Sequence, residues 1–97
     1  MKLEWRPATE IDRDNIAEYI AKDNPRSAIA LDLEFAKKAE LARANPAMYR
    51  VGRISGTREI VVQNNYVMVY KVDNKAKIIT ILRILHAAQQ FPKKLVL

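Results

Sequence analysis

Gly56-Thr57-Arg58-Glu59-Ile60-Val61-Val62-Gln63-Asn64-Asn65-Tyr66-Val67-Met68-Val69-Tyr70-Lys71-Val72, continued by Ile78-Ile79-Thr80-Ile81-Leu82-Arg83-Ile84-Leu85-His86, decides the fold. β-branched and aromatic residues, which pack well on a pleated surface, concentrate here. The stretch predicts three successive strands joined by tight turns. Asn64-Asn65 tolerates positive φ and suits a two-residue hairpin turn. Asp73-Asn74-Lys75 makes the next turn. Tyr66–Val72 and Ile78–Leu85 are apolar on both faces, as central strands are.

Upstream of this sheet the chain reads as helical. Lys2-Leu3-Glu4-Trp5-Arg6 alternates polar and apolar and suits a short strand that Pro7 stops. A helix then opens at Ala8 or Thr9 and runs to about Ala21, with Ala8, Ile11, Asp12, Ile16, Tyr19 and Ile20 on a core-facing stripe. Glu10, Asp12 and Asp14 favour the positive end of its dipole. Asn24 followed by Pro25 is a helix start with a mechanism, a side-chain cap and then a residue that needs no N–H partner. The second helix runs to about Ala44. Ala28, Leu31, Phe35, Ala39 and Ala42 line one face, widened by Ile29, Leu33 and Ala36. Asn45-Pro46 ends it. Met48 to Ser55 reads as a loop or short edge strand.

The predicted order is strand, helical hairpin, three-stranded antiparallel meander. The first strand pairs with or flanks the last, and the hairpin covers one face of the sheet. That is an α+β fold in a single domain over residues 1–97.

Composition narrows the function. The net charge of +6 favours polyanions or an acidic protein partner. No cysteine is present, which excludes disulfides and thiolate metal sites, and one histidine makes an imidazole metal site improbable. No metal and no cofactor is expected. No apolar run reaches the roughly 20 residues of a membrane span, and no signal-peptide pattern opens the chain. The expected location is the cytoplasm, with no membrane partner.

Several motifs stand out together: Asp12-x-x-x-Ile16-x-x-Tyr19-Ile20-Ala21-x-x-Asn24-Pro25; Gly52-Arg53-x-x-Gly56-Thr57-Arg58-Glu59; Asn65-Tyr66-x-x-x-Tyr70-x-Val72; and Ile84-Leu85-His86-x-x-Gln89-Gln90-Phe91-Pro92. In this order and over nearly the whole chain, the sequence resembles the RelE/ParE superfamily of type II toxin–antitoxin toxins. The resemblance implies one of two activities. A RelE-like protein is a ribosome-dependent endoribonuclease that cuts mRNA. A ParE-like protein poisons DNA gyrase, with the A subunit the expected contact, and cleaves nothing itself. Either is neutralised by a cognate antitoxin, expected here to be acidic.

Cleavage through a 2′-hydroxyl needs a base, a cation for the phosphorane and an acid for the leaving oxygen. RelE-like sheets tend to carry an arginine after the middle-strand tyrosine and a basic cluster beyond the last strand. Here those places hold Val67 and His86-Ala87-Ala88-Gln89-Gln90, which favours the ParE-like reading. No catalytic residue is then expected. In the nuclease alternative His86, Arg83 and Arg58 carry the chemistry, with Arg53 helping to bind RNA. Arg83 and His86, three apart, point to opposite faces of a regular strand and cooperate only if the strand bends. For Glu59 a structural ion pair is the preferred reading; for Arg58 the structural option is a pair with an acid of the helical hairpin. The candidate partner contacts are Arg50, Arg53, Tyr66, Phe91, Lys93 and Lys94. Tyr70 and Trp5 are assigned to the core.

Overall fold

A computed structural model describes residues 1–88 of the chain. The elements follow in the order β1 (Lys2–Trp5), α1 (Pro7–Ala21), α2 (Pro25–Ala44), β2 (Arg50–Val51), β3 (Arg58–Val62), β4 (Tyr66–Asp73) and β5 (Ile78–His86). They form one five-stranded sheet ordered β1-β5-β4-β3-β2 with the helical hairpin on one face. Strands β2 to β5 pair antiparallel, whereas β1 pairs with β5 in parallel. The α+β architecture of the sequence reading holds, with β2 as the short edge strand.

Each helix start has a local cause. Asn24 Oδ1 accepts from the Ser27 N–H at 3.1 Å and Pro25 fills the first helical position, so the cap strengthens a start that proline already permits. α1 begins earlier than expected. Pro7, assigned only to stopping β1, is itself the first helical residue, and extended Arg6 precedes it without a side-chain cap. The Thr9 hydroxyl anchors this start from the buried side, donating to the Ile81 carbonyl at 2.8 Å and tying α1 to β5.

Ala28, Leu31, Phe35, Ala39 and Ala42 are the buried face of α2. Leu31, Phe35, Ala39 and Ala42 pack on Ile60, Val62, Met68, Tyr70, Ile79, Ile81 and Ile84. Tyr70 is fully buried, and its hydroxyl donates to the Pro46 carbonyl at 2.7 Å, which closes the end of the hairpin onto the sheet. Burial pushes this phenol up to about 12. Trp5 packs at the core edge with the Arg13 guanidinium 4.6 Å above its ring. On the opposite sheet face a smaller cluster joins Val67, Val69, Leu82 and Leu85, with Ile54 against it.

Three expectations need correction. Ile11 and Tyr19 on α1, and Ile29 and Leu33 on α2, are not core residues but are 58–73% exposed. α1 touches the sheet along a narrow line through Thr9, Asp12, Ile16 and Ile20, so a wide stripe finds nothing to cover its flanks. The β3–β4 turn comes one residue early. Val62 pairs with Tyr66, and it is Gln63 and Asn64 that take positive φ. Finally, β5 is not regular. Val69 pairs with Arg83 and Tyr70 with Ile81, so Leu82 is an extra residue and the strand bulges.

Candidate functional site

The bulge at Leu82 lies next to the side chains that meet α1. Before it, Ile79 and Ile81 face the helices; after it, Ile84 does. Arg83 is turned to the same side, where Nε and Nη2 donate to Asp12 Oδ2 and Oδ1 at 2.8 and 3.0 Å. Asp12 Oδ2 also accepts from the Ile84 N–H at 2.9 Å. One carboxylate of α1 thus holds both the guanidinium and the backbone of the bulge. Its hydrogen bond to Asp12 raises the Arg83 pKa against the opposing effect of burial, so the cation is fixed and its two forward donors are spent on Asp12.

Arg83 and His86 therefore do share a site, contrary to the regular-strand expectation. They line one cleft of about 420 Å³ with Asp12, Asn15, Tyr19 and Tyr66. His86 stands edge-to-face on Tyr66 at 5.3 Å, and Tyr66 on Phe35 at 5.7 Å, so the rings step from core to cleft. His86 Nδ1 accepts from the Ala88 N–H at 3.1 Å. Burial, then the neighbouring Tyr19, raises the Tyr66 pKa and keeps that phenol neutral. The cleft offers an exposed imidazole, two phenols, an amide and a neutralised arginine. Arg58, the third member of the nuclease alternative, lies elsewhere: it donates to the Tyr49 carbonyl at 2.6 Å rather than to an acid of the hairpin.

A second charged cluster sits at the β2 edge. Glu59 is buried on the face away from the helices, its side chain only 2% exposed. Arg50 Nη2 donates to its Oε1 and the Arg53 N–H to its Oε2, both at 2.8 Å, and the Arg53 side chain approaches at 3.4 Å. Burial is the largest single influence and would raise the Glu59 pKa. The Arg53 amide, the Arg50 hydrogen bond and both positive charges together outweigh it and hold the carboxyl below its ordinary value. Glu59 thus has the structural role expected of it. Its partners are Arg50 and Arg53, which the sequence assigned to partner binding. Both fold back on Glu59 yet keep about half their side-chain surface exposed, 53% and 52%. The loop between them is tight. A Cβ at Gly52 would overlap Thr57 Oγ1, and Gly56 has φ +81°.

Of the other predicted contacts, Tyr66 lines the cleft, while Phe91, Lys93 and Lys94 lie outside the described residues. The sequence reading placed Asp12 on the core-facing stripe and near the helix dipole but missed its pairing with Arg83. Its signal was position: Asp12, Ile16 and Ile20 share one helical ridge four residues apart, and a carboxylate on a ridge that meets the sheet needs a cation opposite. Among the described residues no group of three or more His, Asp and Glu could hold a metal ion. No helix there is long and apolar enough to cross a membrane.

Comparison with known proteins agrees with this geometry. Residues 3–91 match the family model described as the ParE toxin of the type II toxin–antitoxin system, parDE. The chain is 34% identical over 95 residues to the Sinorhizobium fredii protein Y4kP, described as a candidate toxin, covering 97% of this chain and 96% of that one. Among solved structures it is similar to a chain of the chromosomal ParDE toxin–antitoxin system of P. aeruginosa, with a TM-score of 0.76 at 23% identity over 89% of this chain and 95% of the other. It is also similar to a chain of the RelBE2 toxin–antitoxin complex of Mycobacterium tuberculosis, with a TM-score of 0.57 at 23% identity over 91% and 92% of the two chains.

Proposed function

The chain belongs to the ParE toxin family of type II toxin–antitoxin systems, and from that premise we propose that it inhibits DNA gyrase, through the A subunit, without cutting nucleic acid itself. It stabilises a DNA-cleaved state of gyrase and so blocks replication. Its cognate antitoxin, acidic overall, neutralises it by laying a helix on the hairpin and an extended segment along a sheet edge. It acts in the cytoplasm, where gyrase and its DNA are.

The observation that carries this reading is the Asp12–Arg83 pair. A phosphorane at His86 needs a cation ready to take its charge. The arginine that shares the cleft with His86 is bound through two donors to a carboxylate. Arg58 lines a different cleft, with Tyr70 and Lys71. A noncatalytic mode of action asks nothing of these groups.

The endoribonuclease reading keeps one argument, that Arg83 and His86 line one cleft. Both are tested together. The purified chain is added to gyrase with plasmid DNA and, in parallel, to translating ribosomes with a defined mRNA. Lost supercoiling or accumulated cleaved DNA, with intact mRNA, is expected. Cut mRNA beside unaffected gyrase overturns the proposal and makes His86→Ala the next variant.

A further inference from the structure

Positive charge gathers at one end of the sheet. Residues 50–77 carry six cations, Arg50, Arg53, Arg58, Lys71, Lys75 and Lys77, against two carboxylates, Glu59 and Asp73. The register brings them together. Arg58 pairs with Val51 on one side and with Tyr70 on the other, and the β4–β5 turn that holds Lys75 and Lys77 follows shortly after Tyr70 at the same end. Neither carboxylate is turned to a visitor. Glu59 is buried, and Asp73 accepts from the Lys75 and Ala76 N–H groups of its own turn, both at 3.0 Å.

The fixed part of this surface is the cluster on Glu59. Asp12 faces Arg83 and Asp32 faces Arg13, one arginine to each carboxylate. Glu59 faces two. It stays charged, because its donors and the two guanidinium charges outweigh its burial, and one positive charge is left over. Arg50 directs Nε and Nη2 to Glu59 Oε1 at 3.2 and 2.8 Å. A guanidinium has more donors than these, and half of the side chain is in water. Holding two long side chains in place removes in advance the rotamer entropy that arginine otherwise loses when it binds an anion. Arg58 adds a third held cation. Its Nη1 donates to the Tyr49 carbonyl at 2.6 Å, a partner that fixes the side chain without cancelling its charge. With Lys71, Thr57 and Tyr70 it lines a hollow of about 290 Å³ beside Gly56.

Guanidinium forks match phosphate oxygens in pairs. Cations spread over one end of a sheet, rather than focused into a pocket, suit a polyanion of regularly repeated charge. We propose that this end of the sheet, with Arg50 and Arg53 held on Glu59 as its fixed core, binds the phosphodiester backbone of duplex DNA. The surface supplies the chemistry; the identity of the polyanion rests on the gyrase reading above, which places the chain beside DNA. The chain then touches the DNA as well as the A subunit. A contact to both joins enzyme to substrate and favours the state in which they are held together. Binding of this kind positions the duplex and reads no sequence.

The test uses the purified chain without gyrase. A fluorescent duplex of about 20 base pairs, two helical turns, is titrated by anisotropy between about 50 and 200 mM salt. Arg50→Gln with Arg53→Gln is expected to weaken binding about tenfold and to flatten the salt dependence by about two phosphate contacts. Lys22→Gln with Arg26→Gln removes the same charge at the tip of the hairpin. The 20 residues of α2, about 30 Å of helix, separate that tip from Pro46, which meets Tyr70 at the basic end. This exceeds the screening length, so the control is expected to stay within about twofold of wild type.

Losing both arginines strips buried Glu59 of its counter-charges, so a melting temperature is recorded for each variant and a second measurement needs no variant. Phenylglyoxal modification of the wild type, mapped by mass spectrometry, is expected to show Arg50 and Arg53 protected by the duplex and the exposed Arg26 unprotected. Equal weakening by the two double variants, a duplex that protects neither Arg50 nor Arg53, or single-stranded RNA of equal length bound more tightly than the duplex overturns the proposal. So does a polyglutamate peptide that binds more tightly than the duplex at matched charge, which would assign the arginines to an acidic protein. Gyrase enters none of these readouts, so DNA binding can fail while gyrase inhibition stands, and the reverse.

Discussion

Asp12 and Glu59 solve one problem in two ways. Each is a carboxylate with little exposure, 12% and 2% of its side chain, and each binds guanidinium and backbone together. Asp12 reaches across 71 residues to Arg83 and clamps α1 to the bulge of β5. Glu59 reaches six and nine residues to Arg53 and Arg50 and ties an edge to its own neighbour. The long-range carboxylate spends its arginine on the fold. The local one holds two arginines that still show half their surface to solvent. A single ion-pair motif therefore removes a cation from one site and displays two cations at the other.

The largest expected effect comes from Glu59→Gln. It keeps the shape, loses the charge and leaves two guanidinium groups without their counter-ion. A fully buried pair broken this way costs about 3–5 kcal/mol; exposure of the arginines reduces this to about 2–3 kcal/mol, or a melting temperature lower by roughly 10 °C or more. Calorimetry checks it. The same residue sets an acid limit. A carboxyl held below its ordinary pKa stabilises the fold fully above that value, and the contribution fades as pH falls through the folded-state pKa. Wild type should lose stability as pH drops below 4.5, and Glu59→Gln should lose less over the same interval. Equal acid slopes would remove Glu59 from the explanation.

Asp12→Asn is next, at about 1.5–2 kcal/mol, since the amide still accepts from Ile84 but no longer pairs with Arg83. Urea unfolding reads the stability. The same variant sharpens the functional contrast, because it releases Arg83 beside His86. Incubated with ribosomes and mRNA, it is expected to leave the message intact; new cleavage would show that the clamp restrains a nuclease.

Thr9→Val removes the buried hydroxyl that joins α1 to the Ile81 carbonyl, worth about 1 kcal/mol in the same unfolding experiment. Tyr19→Ala is the control for the corrected stripe. At 73% exposure its loss should move stability by less than about 0.5 kcal/mol. A cost near 2 kcal/mol would return Tyr19 to the core.

Much of the frame was legible because it is written locally. Asn24-Pro25 declares a helix start whatever surrounds it, and the spacing of Ala28, Leu31, Phe35, Ala39 and Ala42 declares a buried face. The structural role of Glu59 could be read from an acid placed inside an apolar strand. What could not be read depends on pairing across the ladder. Leu82 is apolar and β-favouring, with nothing in its neighbours to mark it as a bulge, and nothing local marks the reach of the Arg83 side chain to Asp12 that puts it in the cleft of His86. The width of the α1 stripe failed for a related reason. Ile11 and Tyr19 fall at core-like intervals, but how much of a helix is covered depends on the sheet beneath it. Arg58 shows the limit of charge reasoning, since its partner is a backbone carbonyl that no charge pattern predicts.

The parallel pairing of β1 with β5 bears on how the protein is made. Residues 2–5 leave the ribosome long before their partners at 78–81 are made. The helical hairpin can form as a local unit, but neither the Thr9 bond nor the Asp12 clamp exists until β5 is present. Contacts of such long sequence separation form late, after most of the chain has been translated. Translation halted ahead of Ile78 thus yields a chain without its clamp or its β4–β5 ladder, and the fold closes only once β5 is made.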